Sequence, residues 1–170
     1  LVGSRPLGDA PHPRQEPSRG RRPPMMSRKL VWHTSKRAIS IGISRRPIID
    51  VVFNGMLPGL GEYEEAFAEY ARIVEDGQQV VWLIDMCGFS PLNIDARTRK
   101  AASEVFFRYQ PVLQVASVAE ARVTQNMLTR CVLTAFDWIT GSNKWPCQQF
   151  ETHPEAEAWL LHQLRRRSRR

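Results

Sequence analysis

The sequence predicts a single α/β domain: one mixed sheet of about five to six strands, with about four helices packed mainly on one face. Three observations carry this reading. Residues 79–85 (QVVWLID) form a continuous apolar run closed by an acid, the pattern of a central strand covered on both sides. Strand-like and helix-like periods alternate through the second half, which requires parallel strands joined by right-handed crossovers. A chain of 170 residues, 42% hydrophobic, is long and apolar enough for one core but short for two.

The elements follow in order. Residues 1–25 hold six prolines and no periodicity, and are set aside as a tail, tag or upstream sequence. Residues 30–34 make a short apolar run. Ile39, Ile41 and Ile43 then alternate with Ser40, Gly42 and Ser44, as in a half-buried strand. Residues 48–54 (IIDVVFN) form the next strand, and Gly55, Pro58, Gly59 and Gly61 break it. A helix over about 62–76 lines up Tyr63, Ala66, Phe67, Tyr70, Ala71 and Val74, starts with four glutamates and stops at Gly77.

After the run at 79–85 comes a loop, and Asn93 is placed to cap a helix over 94–109 that Pro111 ends. Residues 112–118 (VLQVASV) read as a strand. A helix over 125–140 carries a broad apolar stripe that includes Cys131 and Phe136, and Gly141 to Asn143 turn the chain. Residues 145–150 make a short strand whose Pro146 argues for the sheet edge. Thr152, Pro154 and Glu155 open a last helix, which runs to about 164 and buries Ala156, Trp159, Leu160 and Leu164.

The formal charge of +7 overstates the basicity of the folded part. Five arginines lie in residues 1–25 and five in the basic tail 165–170. Residues 26–164 are left with 14 basic and 15 acidic side chains, a net of −1. A domain that reads nucleic acid carries its charge on the folded surface, so no specific nucleic-acid partner is expected. No run approaches the roughly 18 apolar residues of a membrane span, and no apolar segment near the start resembles a secretion signal. Three widely spaced cysteines are no disulfide framework and suit a reducing cytoplasm.

Chemistry-bearing motifs are sparse. The glycines fit neither GxGxxG nor GxxxxGK[ST], GxSxG is missing, and the four histidines have no metal-ligand spacing. No catalytic residue, cofactor or metal is therefore expected. The informative place is the loop after Asp85, because parallel sheets meet ligands and partners at the carboxyl ends of their strands. Its tip would expose Phe89 and Leu92, unless they pack, beside Ser90, Asn93 and Asp95, ahead of the basic Arg97, Arg99 and Lys100.

Three stretches carry a family resemblance: VVWLIDMCGFSPLNIDARTRKAA from residue 80, LTRCVLTAFDWITGSNKWPCQQFET from residue 128, and EAEAWL from residue 155. Over residues 29–164 the chain resembles a STAS domain, the fold of bacterial anti-sigma-factor antagonists and sulfate-transporter tails. It is more similar still to the STAS-like group related to CRAL-TRIO lipid-binding domains. The resemblance implies helices stacked mainly on one side of the sheet, no enzymatic activity and no cofactor. Where an antagonist has a phosphorylated serine in Asp-Ser-Ser-Gly, this chain reads Asn93-Ile94-Asp95-Ala96, so the acceptor is missing and Asp95 supplies fixed negative charge.

Two functional expectations result. The first is a non-enzymatic interaction module of a bacterial cytoplasmic protein, docking a protein partner through Phe89, Ser90, Leu92, Asn93, Asp95, Arg97 and Lys100. The second is a carrier of an apolar or lipid ligand, held between sheet and helices by Phe106, Tyr109, Phe136 and Trp138 in a cavity of about 300 Å³ or more. A homodimer through exposed aromatics or an edge strand stays open.

Overall fold

The computed structural model describes residues 37–90, 94–140 and 144–169. Five strands and four helices alternate: β1 (Ile39–Gly42), β2 (Ile48–Phe53), α1 (Leu60–Val74), β3 (Val80–Asp85), α2 (Ala96–Ala116), β4 (Ser117–Val123), α3 (Met127–Thr140), β5 (Cys147–Phe150) and α4 (His153–Arg167). The expected run at 30–34, Leu92, the Asn93 cap and the turn at 142–143 lie outside the described residues.

The strands form one sheet in the order β1-β2-β3-β4-β5. β1 and β2 are antiparallel, with Ile41 opposite Val51; the other pairs are parallel, with Ile48 beside Val81 and Trp82 beside Glu120. A parallel set laid down in sequence order by right-handed crossovers puts its connecting helices on one face. α1, α2 and α3 accordingly share a face, and α4, which follows the last strand, packs against β3 and β4 from the other side. The expected mixed sheet with helices mainly on one face is the architecture found.

Pleating gives each strand two loyalties. Toward α1 to α3 point Ile39, Ile41, Ile49, Val51, Val80 and Trp82, packed with Tyr70, Ile73 and Phe106. Toward α4 point Ile48, Val81, Leu83, Ala119, Ala121 and Val123, closed by Ala156 and Leu160. The alanines of β4 let α4 approach closely. Glu62 in the first turn of α1 accepts from the backbone N–H groups of Ala38 and Ile39, tying the start of β1 to that helix. Gly77, at φ +70°, turns the chain out of α1 as expected. β5 is indeed an edge strand.

Three expectations need correction. The cap of α2 is Asp95, whose carboxylate accepts from Thr98 N at 2.7 Å, so the helix begins at Ala96. Pro111 does not end α2; it lies exposed within it. An interior proline costs about 3 kcal/mol or more. Continuing the helix buries Leu113 and Ala116 on the stripe of Phe106, and a buried leucine contributes roughly 1.5–3 kcal/mol by itself. The predicted strand at 112–118 is therefore mostly helix, and β4 starts at Ser117. Its central residues escaped the sequence reading because Glu120 and Arg122 interrupt the apolar run.

A third correction concerns α3. Leu133 and Thr129 are buried, but Cys131, expected in the core, is exposed, and Trp138 is 80% exposed. The helix is apolar on two sides and the sheet takes one. The other side, with Met127 and Trp138, faces outward.

Candidate functional site

α1, α2 and α3 do not close down on the sheet. They leave a cavity of ≈ 770 Å³ between themselves and the strands. Trp82 and Ile84 of β3 form part of its floor, Phe67 and Phe106 a side, and Leu133 and Phe136 of α3 the cover. The aromatic walls are mutually braced: Phe106 meets Phe67 and Phe136 edge-on, with ring centroids 6.1 and 6.0 Å apart.

Protein interiors hold few voids larger than a water molecule. This one is open to solvent, so water or a guest molecule can enter it. Apolar walls hold water poorly, so an apolar guest suits the depth and solvent the rim. Arg99, Lys100, Glu104 and Phe107 line the cavity and are also exposed, which puts its mouth along the outer edge of α2.

One polar cluster breaks the apolar lining. Glu120 and Arg122 project from β4 into the cavity floor, 6% and 5% exposed. Arg122 Nε donates to Glu120 Oε1, and Nη1 reaches Asp137 Oδ1 and Oδ2 at 2.9 and 3.1 Å. Trp145 Nε1 donates to Glu120 Oε2 at 3.1 Å, and the Cys147 thiol approaches Glu120 Oε1 at 3.7 Å. Burial raises the Asp137 carboxyl above the usual aspartate range, although Arg122 pulls the other way. The Arg122 guanidinium stays charged, since its two carboxylates outweigh desolvation.

The sequence-predicted residues divide on this frame. Phe106 and Phe136, expected to hold a ligand, line the cavity. Tyr109 does not: it stacks on Phe67 and its hydroxyl donates to Glu64 at 3.3 Å. Trp138 points outward and holds no ligand wall. Of the residues expected at a docking tip, Phe89 is buried, not exposed. Its ring meets Phe53 edge-on at 5.2 Å and forms part of the cavity wall. Gly88 makes this possible: a Cβ there would lie 2.7 Å from the Phe53 carbonyl oxygen. Ser90, Asp95, Arg97 and Lys100 are exposed, with Asp95 engaged as the helix cap and Lys100 at the cavity mouth. Leu92 and Asn93 lie outside the described residues.

Glu120 and Arg122 went unread in the sequence. The signal was present as SVAEARV, where Ala119, Ala121 and Val123 alternate with two opposite charges. Period-two alternation usually puts charge in water; here Trp145 meets Glu120 and Asp137 of α3 meets Arg122 on an inward face.

At the carboxyl end of β3, His153 Nε2 lies 2.9 Å from Asp85 Oδ2, and the Cys87 backbone N–H donates to Asp85 Oδ1. The grouping resembles a nucleophile with a base, but the thiol is kept above its usual pKa by desolvation and by Asp85. Such a thiol is poorly activated. Among the described residues, no group of histidine, cysteine and acidic side chains could hold a metal ion, and no helix is long and apolar enough to cross a membrane.

Comparison with family models, with curated proteins and with solved structures finds no match to this chain.

Proposed function

We propose that this protein binds and carries an apolar small molecule or lipid between its sheet and helices α1 to α3. The observation that carries the reading is the ≈ 770 Å³ cavity, within the range of about 300–1,000 Å³ typical of small-molecule sites. Apolar walls with a few convergent polar groups are what such sites share, and here the polar groups are Glu120 and Arg122. The STAS-like pattern, with its relation to CRAL-TRIO lipid-binding domains, is in keeping with this use of the fold.

The test is saturable uptake of a neutral, environment-sensitive dye such as Nile red by the full chain, with native mass spectrometry of freshly expressed protein. Stoichiometric binding is expected, weakened tenfold or more in Leu133→Trp and Ala102→Trp, which place an indole in the cavity. Wild-type protein that takes up no dye and carries no extra mass would refute the reading.

Docking of a protein partner is the second reading. It draws support from the exposed Arg97, Arg99 and Lys100 at the start of α2, and loses the apolar tip that Phe89 was expected to supply. Unchanged partner recovery by an Arg97→Glu, Lys100→Glu variant would reject that surface.

A further inference from the structure

We infer that the polar end of the bound molecule is an uncharged oxygen acceptor, such as an ester or amide carbonyl, received by Arg122, and not a carboxylate or phosphate. This rests on the cavity reading above and specifies its ligand class. Arg122 has five N–H groups in a planar fork. Nε is turned to Glu120 and Nη1 to Asp137, while Nη2 has no hydrogen-bond partner among the described residues. The residue lines the cavity floor, so the spare donors belong to its interior. Nη2 keeps access to the cavity, where water serves it until an acceptor on the guest takes that water's place.

Charge decides which acceptor. The single positive charge of Arg122 already meets two carboxylates in direct contact, Glu120 and Asp137. An anionic head on Nη2 would be a third negative group around one guanidinium, in a setting where low dielectric magnifies repulsion. A neutral carbonyl accepts from Nη2 without adding charge. The apolar walls of Trp82, Ile84, Phe106 and Phe136 then take the chain or ring that follows it.

Displacement of Nile red from the full chain at pH 7.5 by dodecanoate, methyl dodecanoate and dodecane tests this. The ester should displace the dye at concentrations at least tenfold below the carboxylate and at least threefold below the alkane. Asp137→Asn, which removes one of the two anions, should narrow the ester-to-carboxylate ratio to about threefold or less. A carboxylate that competes as well as the ester in wild-type protein overturns the inference while leaving the cavity reading standing. An unchanged ratio in Asp137→Asn also overturns it. Failure of the dye to bind at all overturns both.

Discussion

Replacing Arg122 by methionine removes a cation in direct contact with both Glu120 and Asp137, while keeping an unbranched apolar side chain in its place. Breaking a buried ion pair from one side typically costs about 3–5 kcal/mol, because the remaining charges stay in the interior. For a domain of this size roughly 4 °C of melting temperature follows each kcal/mol, so the variant should melt about 12–20 °C lower at pH 7. The loss should depend on pH in a defined direction. The folded Asp137 carboxyl already titrates above its ordinary value through burial. An acid raised on folding stabilises the fold below its unfolded pKa of about 3.9 and loses that contribution as pH rises through the folded value. Removing Arg122 takes away the opposing pull and extends the window upward. The difference between wild type and Arg122→Met should therefore be largest at neutral pH and shrink toward pH 4. Urea unfolding at pH 4.5 and 7, followed by the fluorescence of buried Trp82 and Trp145, measures it. A difference below about 1 kcal/mol, or one equal at both pH values, would refute the view that the guanidinium holds one buried and one half-buried carboxylate.

Three further outcomes are expected. Gly88→Ala puts a Cβ 2.7 Å from a backbone oxygen, so the loop must shift at a cost of roughly 1–3 kcal/mol; a melting temperature equal to wild type would contradict the close approach. Leu160→Ala, at a fully buried site under α4, should cost about 2–5 kcal/mol by urea titration, whereas the exposed Trp138→Ser should stay within about 0.5 kcal/mol. The Asp95 carboxyl is lowered chiefly by the Thr98 backbone N–H, so its capping contribution is present above the unfolded pKa and lost as pH falls through the lower folded value. Asp95→Ala should speed hydrogen exchange at the first turn of α2, and an unchanged rate at Thr98 would show the cap to be idle.

Much of the fold was legible because local pattern and tertiary role agree there. The apolar run at 80–85 is a central strand covered by helices on one face and α4 on the other. Gly77 ends α1, and Pro146 precedes an edge strand. Legibility failed where a long-range contact overrode a local rule. Pro111 stays helical because the residues beyond it have a stripe to bury. Phe89, a loop residue by any local criterion, is drawn inward by Phe53 across a contact that only a glycine at 88 permits.

The sequence by itself determined the class of fold, the sequence of most elements and two of the cavity's aromatic residues, Phe106 and Phe136. Hydrophobic periodicity and turn chemistry are short-range properties that survive without knowledge of neighbours. The cavity, its mouth along α2 and the Glu120–Arg122–Asp137 cluster were decided only in three dimensions. An alternating charged strand looks the same in a string of letters whether it faces water or the inside of a protein. What distinguishes the two is how far α3 stands off the sheet, a distance set by the packing of residues far apart in the chain.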